Sequence, residues 1–240
     1  MTLAVIVLAG GIGSRFKPTE GYLPKPLISV QGKSQLFWAT KGAVISYEPD
    51  FVIFACRSEL VEPIEKEVQS FPFLSNSEVV DVGYSTEGPA NTLEIALRNT
   101  KFELAESRII AVDNDCFNLV SHEISSHDFP FVTTTTSQNP AHCFLDISKN
   151  SLVQNFHEKE LFGDVVVSGN YGFLQPSQFR ESLLAVRSSG KVQQELYLST
   201  VMQELIEANS VRALPVSRYF SMGTPSEIAK LTEDLSVYVH

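Results

Sequence analysis

Basic residues are scarce in this sequence: 18 lysines and arginines stand against 28 aspartates and glutamates, a formal net charge of -10. A general nucleic-acid binder carries a basic face, so no nucleic-acid partner is expected. An acidic chain can still hold an anion where a few cations and backbone N–H groups converge. Cysteine is also scarce. The three present, Cys56, Cys116 and Cys143, form no CxxC pair and are odd in number. That excludes a disulfide framework and fits a reducing, cytoplasmic compartment. Long hydrophobic runs are missing. The apolar start "MTLAVIVLAGG" lacks a basic leader and ends in glycine. It reads as a buried strand, not as a signal peptide or a membrane span, and no membrane partner is expected. No internal repeat, low-complexity segment or Gly/Pro/Ser-rich linker divides the chain. With 240 residues, 43% of them hydrophobic, one sizeable core is expected and a single domain over 1–240.

What is present alternates. Leu3–Leu8 is short, apolar and β-branched, as a central parallel strand should be. Ser34 can cap a helix over Gln35–Tyr47. "FVIFAC" (Phe51–Cys56) reads as a strand. Ser58 opens a helix with Glu62, Glu65 and Lys66 facing water. "EVVDV" (Glu78–Val82) is a third strand. A helix over Pro89–Asn99 begins with proline in its first turn, and "RIIAV" (Arg108–Val112) is a fourth strand. This alternation predicts an α/β fold, a Rossmann-like, mainly parallel open sheet with flanking helices. After about residue 128 the pattern turns β-rich, through "FPFVTTTT", "HCFLDI", "SLVQNF" and "NYGFLQ". Helices over "PSQFRESLLAVRSS" and "VQQELYLSTVMQELIEAN", a strand "VRALPV" and a last helix from about Pro225 follow. The chain thus changes character from a first portion, about 1–128, to a smaller β-rich portion, about 129–240.

The first strand runs into "LAGGIGSRFKPTEGYLPKPLISV" (Leu8–Val30). A loop there lies beyond the carboxyl end of the strand, where open parallel sheets bind ligands. Gly10, Gly11 and Gly13 permit close backbone approach, and their N–H groups can cradle phosphate oxygens. Arg15 and Lys25 add two cations, the second stiffened by Pro24 and Pro26. Taken alone, the same glycines also suit a plain tight turn. Two better-known motifs do not apply. Phe16 stands where GxGxxG needs its last glycine, and Leu27 where a P-loop ending in "GKS" (Gly32–Ser34) needs its first. Asp113 and Asp115, just past the fourth strand, are oxygen ligands suited to Mg²⁺, or the ends of an Asp-Asn-Asp turn. "HEISSH" (His122–His127) has the wrong spacing for a zinc helix. His142 beside Cys143 has no third partner visible.

The longer pattern, "LAGGIGSRF…LPKPLISVQGKSQL", resembles the signature LAGG-x-G-[ST]-R…PKP of the sugar nucleotidyltransferases, the nucleoside-diphosphate-sugar pyrophosphorylases. The resemblance implies a GT-A-like nucleotidyltransferase fold over nearly the whole chain, with about 1–128 binding the nucleotide and about 129–240 the acceptor. It implies that Leu8, Ala9, Gly10, Gly11, Gly13 and Ser14 wrap a nucleoside triphosphate, with Arg15 and Lys25 catalytic at the reacting phosphates. "STEGPANTLEIAL" resembles the segment that approaches the base, which places Glu87 and Gly88 there. "LVQNFHEK…VVVSGNYGFLQP" resembles the acceptor region, with Glu158, Lys159, Gly169 and Tyr171 as matches. Asp115 matches the metal-binding aspartate, with Asp113 as a neighbour, so Mg²⁺ is the implied cofactor. "MGTPSEIAKL" resembles the family's late Gly-Thr-Pro. Many relatives carry a second metal-binding aspartate two residues before that glycine, where this chain has Ser221.

The implied activity joins an NTP to a sugar 1-phosphate or similar phosphorylated small molecule, for surface polysaccharide or glycoconjugate precursors. Two other readings stay open. One is a cytidylyltransferase for a non-sugar phosphate such as phosphocholine. The other is a nucleotide-binding regulator without turnover, which Ser221 keeps alive. A homo-oligomer is also left open.

Overall fold

In a computed structural model, residues 1–16, 23–190, 195–208 and 210–239 are described. Strand β1 (Leu3–Ala9) is buried along its whole length. A 3-10 turn at Lys25–Leu27 and a small hairpin, β2 (Ser29–Val30) with β3 (Lys33–Ser34), lead into α1 (Gln35–Tyr47). Ser34 caps α1 by accepting from the Phe37 N–H, which satisfies one of the orphan donors of the first turn. Then follow β4 (Phe51–Cys56), α2 (Val61–Val68), β5 (Ser77–Asp81), α3 (Pro89–Asn99) and β6 (Arg108–Asp113). Ser58 opens a 3-10 turn ahead of α2, and its hydroxyl goes to Asp81 rather than to a cap.

The second half adds β7 (Cys116–Val120), β8 (Phe131–Thr136), β9 (Cys143–Ile147), β10 (Val153–Glu158) and β11 (Val165–Phe173). It closes with α4 (Pro176–Ser188), α5 (Leu198–Ala208), β12 (Arg212–Ser221) and α6 (Pro225–Lys230). Part of the helix expected from Val192 lies outside the described residues. Of the rest, Glu195–Tyr197 is not helical, because the Leu196 backbone pairs with Glu87 and Ala90 instead. β7 was not anticipated: its partner is β12, far along the chain.

Ten strands form one large sheet in the order β5-β4-β1-β6-β11-β8-β12-β7, with β9 and β10 attached beside β11. β5, β4, β1 and β6 are parallel neighbours. β11 turns the sheet antiparallel against β6 and β8. The apolar run of β1 is explained by cover on both faces. Ala4, Ile6 and Leu8 join a core packed under α3, α4 and α5. Leu3, Val5, Val7 and Ala9 join a second core under α1 and α2. Alternate side chains point to opposite faces, so a strand buried on both must be apolar throughout.

Candidate active site

Leu8 at the end of β1 sits opposite Asp113 at the end of β6. From β1 the chain moves outward through β4 and β5, then returns to place β6 on the other side. Strand order therefore reverses between β1 and β6, and in open α/β sheets such a reversal leaves a crevice at the carboxyl ends. A cleft of about 670 Å³ opens there, lined from both halves of the chain.

The glycine loop forms one wall. Gly10 is buried, and a Cβ on it would lie 3.0 Å from Thr92 Oγ1 of α3. Gly13 has φ 70° and its carbonyl accepts from the Phe16 N–H. Leu8, Gly11, Ser14 and the exposed Arg15 also line the cleft. Lys25 enters from the 3-10 turn and places Nζ 2.5 Å from Asp115 Oδ2, with the two side chains 18% and 22% exposed. Burial pushes the Asp115 carboxyl up, but the charge and hydrogen bond of Lys25 outweigh it and hold Asp115 below the usual range. Asp113 is raised, by burial first and then by the Asp115 charge. Asp115 is thus paired with the lysine, and its neighbour Asp113 holds a proton more tightly than an ordinary aspartate.

Gly88 precedes α3 with φ 140°, and a Cβ there would meet the Leu196 N and O at 2.7 Å. Only glycine permits that approach. Glu158 and Lys159 come from the end of β10. Gly169 and the buried Tyr171 come from β11, where an irregularity in the pairing with β8 falls between Val167 and Tyr171. Two residues picked from the sequence sit elsewhere. Ala9 is packed in the core below the loop. Glu87 turns its carboxylate onto Arg187 of α4 at 3.1 Å, and Arg187 also holds Glu94 at 2.8 Å.

The cleft also contains residues the sequence pattern did not single out, among them Thr92, Ser168, Glu195, Tyr197, Tyr219 and Glu227. Only Glu227 carried a signal. It stands three residues after Thr224, the spacing of a capping box. The Thr224 hydroxyl accepts from the Glu227 N–H at 3.2 Å and donates to its carboxylate at 2.9 Å. His142 lines the cleft too, its imidazole held below the usual histidine range by burial.

The oxygen donors suit a hard divalent cation. A Cβ on Gly223 would lie 2.9 Å from Asp115 Oδ2 and 3.4 Å from Glu227 Oε2, so the missing side chain leaves space between two carboxylates. Ser221 stands beside Cys116 in the β12–β7 pairing, and the Met222 N–H donates to the Asp115 carbonyl at 2.7 Å. Among the described residues no three His, Cys, Asp or Glu side chains converge into a ready cage. Mg²⁺ does not require one, because it keeps waters and takes oxygens from substrate phosphates. Asp115 would hold it, with Asp113 and Glu227 at hand.

Residues 4–235 match the nucleotidyl transferase family. The chain belongs to that family. Among solved structures, this nucleotidyl transferase resembles the nucleoside-diphosphate-sugar pyrophosphorylase from Vibrio cholerae RC9, at 20% identity and TM-score 0.78, over 94% of this chain and 98% of that one. It also resembles the UTP-bound UGPase from Acinetobacter baumannii, at 14% identity and TM-score 0.72, over 96% of this chain and 92% of that one. The inositol-1-phosphate CTP transferase from T. maritima shares 12% identity at TM-score 0.69, over 98% of this chain and 93% of that one. These likenesses establish the shared fold. A comparison with curated proteins finds no match. Among the described residues no helix is long and apolar enough to cross a membrane.

Proposed function

We propose that this nucleotidyl transferase joins an NTP to a sugar 1-phosphate or similar phosphorylated small molecule and releases pyrophosphate. The observation that carries the reading is the meeting of three groups in one cleft: the glycine loop with Arg15, the Lys25–Asp115 pair, and Glu158–Lys159. The acceptor's phosphate oxygen attacks the α-phosphorus, and the bond from that phosphorus to the bridging oxygen breaks. The incoming phosphate is already an anionic nucleophile, so the protein's work is alignment and charge neutralisation. Backbone N–H groups at Gly10, Gly11 and Gly13 cradle the triphosphate. Arg15 neutralises the departing pyrophosphate. Lys25, aimed by Asp115, meets the α-phosphate, and Lys159 receives the acceptor phosphate. Mg²⁺, when bound at Asp115, supplies further positive charge at the phosphate oxygens.

One catalytic domain over 1–240, working in the cytoplasm, suits a supply of activated sugars for surface polysaccharide or glycoconjugate synthesis. The test is incubation with each of four NTPs, Mg²⁺ and a panel of sugar 1-phosphates and phosphocholine. Pyrophosphate release with a sugar 1-phosphate is expected. Release with phosphocholine alone replaces the acceptor. NTP binding without turnover replaces the enzyme by a regulator.

A further inference from the structure

Five residues ahead of and entering α5 touch both Lys159 and Glu158 on the acceptor side of the cleft. Lys159 has a left-handed backbone, φ 57°, and its N–H donates to the His142 carbonyl at 3.1 Å. A non-glycine residue is uncommon there and must be held by its surroundings. Its side chain is 45% exposed, with Nζ hydrogen-bonded to the Tyr197 hydroxyl and 3.9 Å from the Glu195 carboxylate. The Tyr197 oxygen therefore accepts from the ammonium. Two residues on, the buried Ser199 donates to Glu158 Oε2 at 2.6 Å. Leu196, between Glu195 and Tyr197, is buried in the core and also fixed by its backbone: its N–H donates to the Glu87 carbonyl at 2.8 Å, and its carbonyl accepts from the Ala90 N–H at 3.0 Å.

We propose that Glu195–Ser199 is a clasp for the acceptor, in which Tyr197 and Ser199 are positioning residues for Lys159 and Glu158. The inference rests on the acceptor assignment made above. An exposed lysine spreads over many rotamers, and fixing one takes up to about 2 kcal/mol of side-chain entropy. A phenol anchored on a backbone-paired segment removes most of that spread before the acceptor arrives. The ion pair with Glu195 is long and exposed, and contributes little by itself. The hydroxyl is the working contact.

Calorimetry with a non-reacting α,β-methylene NTP analogue present tests the clasp. The probes are glucose 1-phosphate, N-acetylglucosamine 1-phosphate, phosphocholine and inorganic phosphate. Tyr197→Phe keeps the ring and removes the oxygen. It should weaken the bound probe about tenfold, as for loss of a hydrogen bond to a charged group, with analogue affinity and Tm unchanged. In a Lys159→Ala background the same change should have no further effect, because Tyr197 acts through the lysine. Equal affinity in wild type and Tyr197→Phe overturns the clasp. So does an undiminished tenfold loss in the Lys159→Ala background. If the wild type binds the analogue but none of the four probes, the acceptor assignment itself falls, and the clasp with it.

Discussion

Gly11 and Gly169 line the same cleft for different reasons. A Cβ built on Gly11 meets no atom of the described residues within 4 Å. One built on Gly169 falls 2.7 Å from Cys116 Sγ and 3.2 Å from Asp113 Oδ2, on a backbone at φ 104°. The fold itself demands glycine at 169, where β11 passes close to the acidic turn. Among the described residues nothing demands it at 11. The proposed triphosphate cradle beside β1 leaves room at residue 11, and the wall beside β6 is built around its own side chains. Asking what surrounds each glycine separates a ligand's requirement from a fold's.

The comparison can be broken most forcefully at Gly169. Gly169→Val adds both a clash and a forbidden dihedral. It should lower stability by about 2–5 kcal/mol, from overpacking plus left-handed strain. Thermal unfolding measures it, and an unchanged Tm would mean the wall relaxes freely. Next comes Lys25→Ala. It removes a cation from the reacting phosphates and should lower kcat/KM by about 10²–10³-fold, roughly 2.7–4 kcal/mol. Steady-state pyrophosphate release reads it, and near-wild-type turnover removes Lys25 from the chemistry.

A smaller effect is expected at Ser221, beside Cys116 and close to Asp115. Ser221→Asp adds a hard oxygen ligand and should lower the Mg²⁺ concentration for half-maximal rate several-fold. An unchanged Mg²⁺ titration would show that residue 221 does not face the cation. The smallest effect belongs to Arg187, which holds Glu87 and Glu94 at a solvent-facing surface. Arg187→Ala should change stability by about 1 kcal/mol or less, as exposed ion pairs do. A larger loss on chemical denaturation would make the Glu87 loop depend on α4.

Much of the first half was legible in the sequence because its signals are local. An apolar β-branched run, a serine before a helix and a proline at position one each report their own element, and β1, α1 and α3 lie where those signals put them. The glycine loop was legible for the same reason. The second half is joined by long-range pairing. β7 pairs with β12, and Glu195–Tyr197 abandons the helical pattern to bind the loop before α3. No window of sequence records such partners. Glu87 shows the limit on single residues: its place beside Gly88 was visible, but not that Arg187 draws its carboxylate aside.

The account turns on whether the empty space at Gly11 belongs to a triphosphate, and Gly11→Val measures that directly. A Cβ there meets nothing within 4 Å among the described residues, so Tm and circular dichroism of the valine variant should match wild type. Titrated in a calorimeter with the NTP that the wild type binds, the variant should show no heat of binding. Unchanged affinity in a folded Gly11→Val would contradict the account and reduce the glycine loop to a turn.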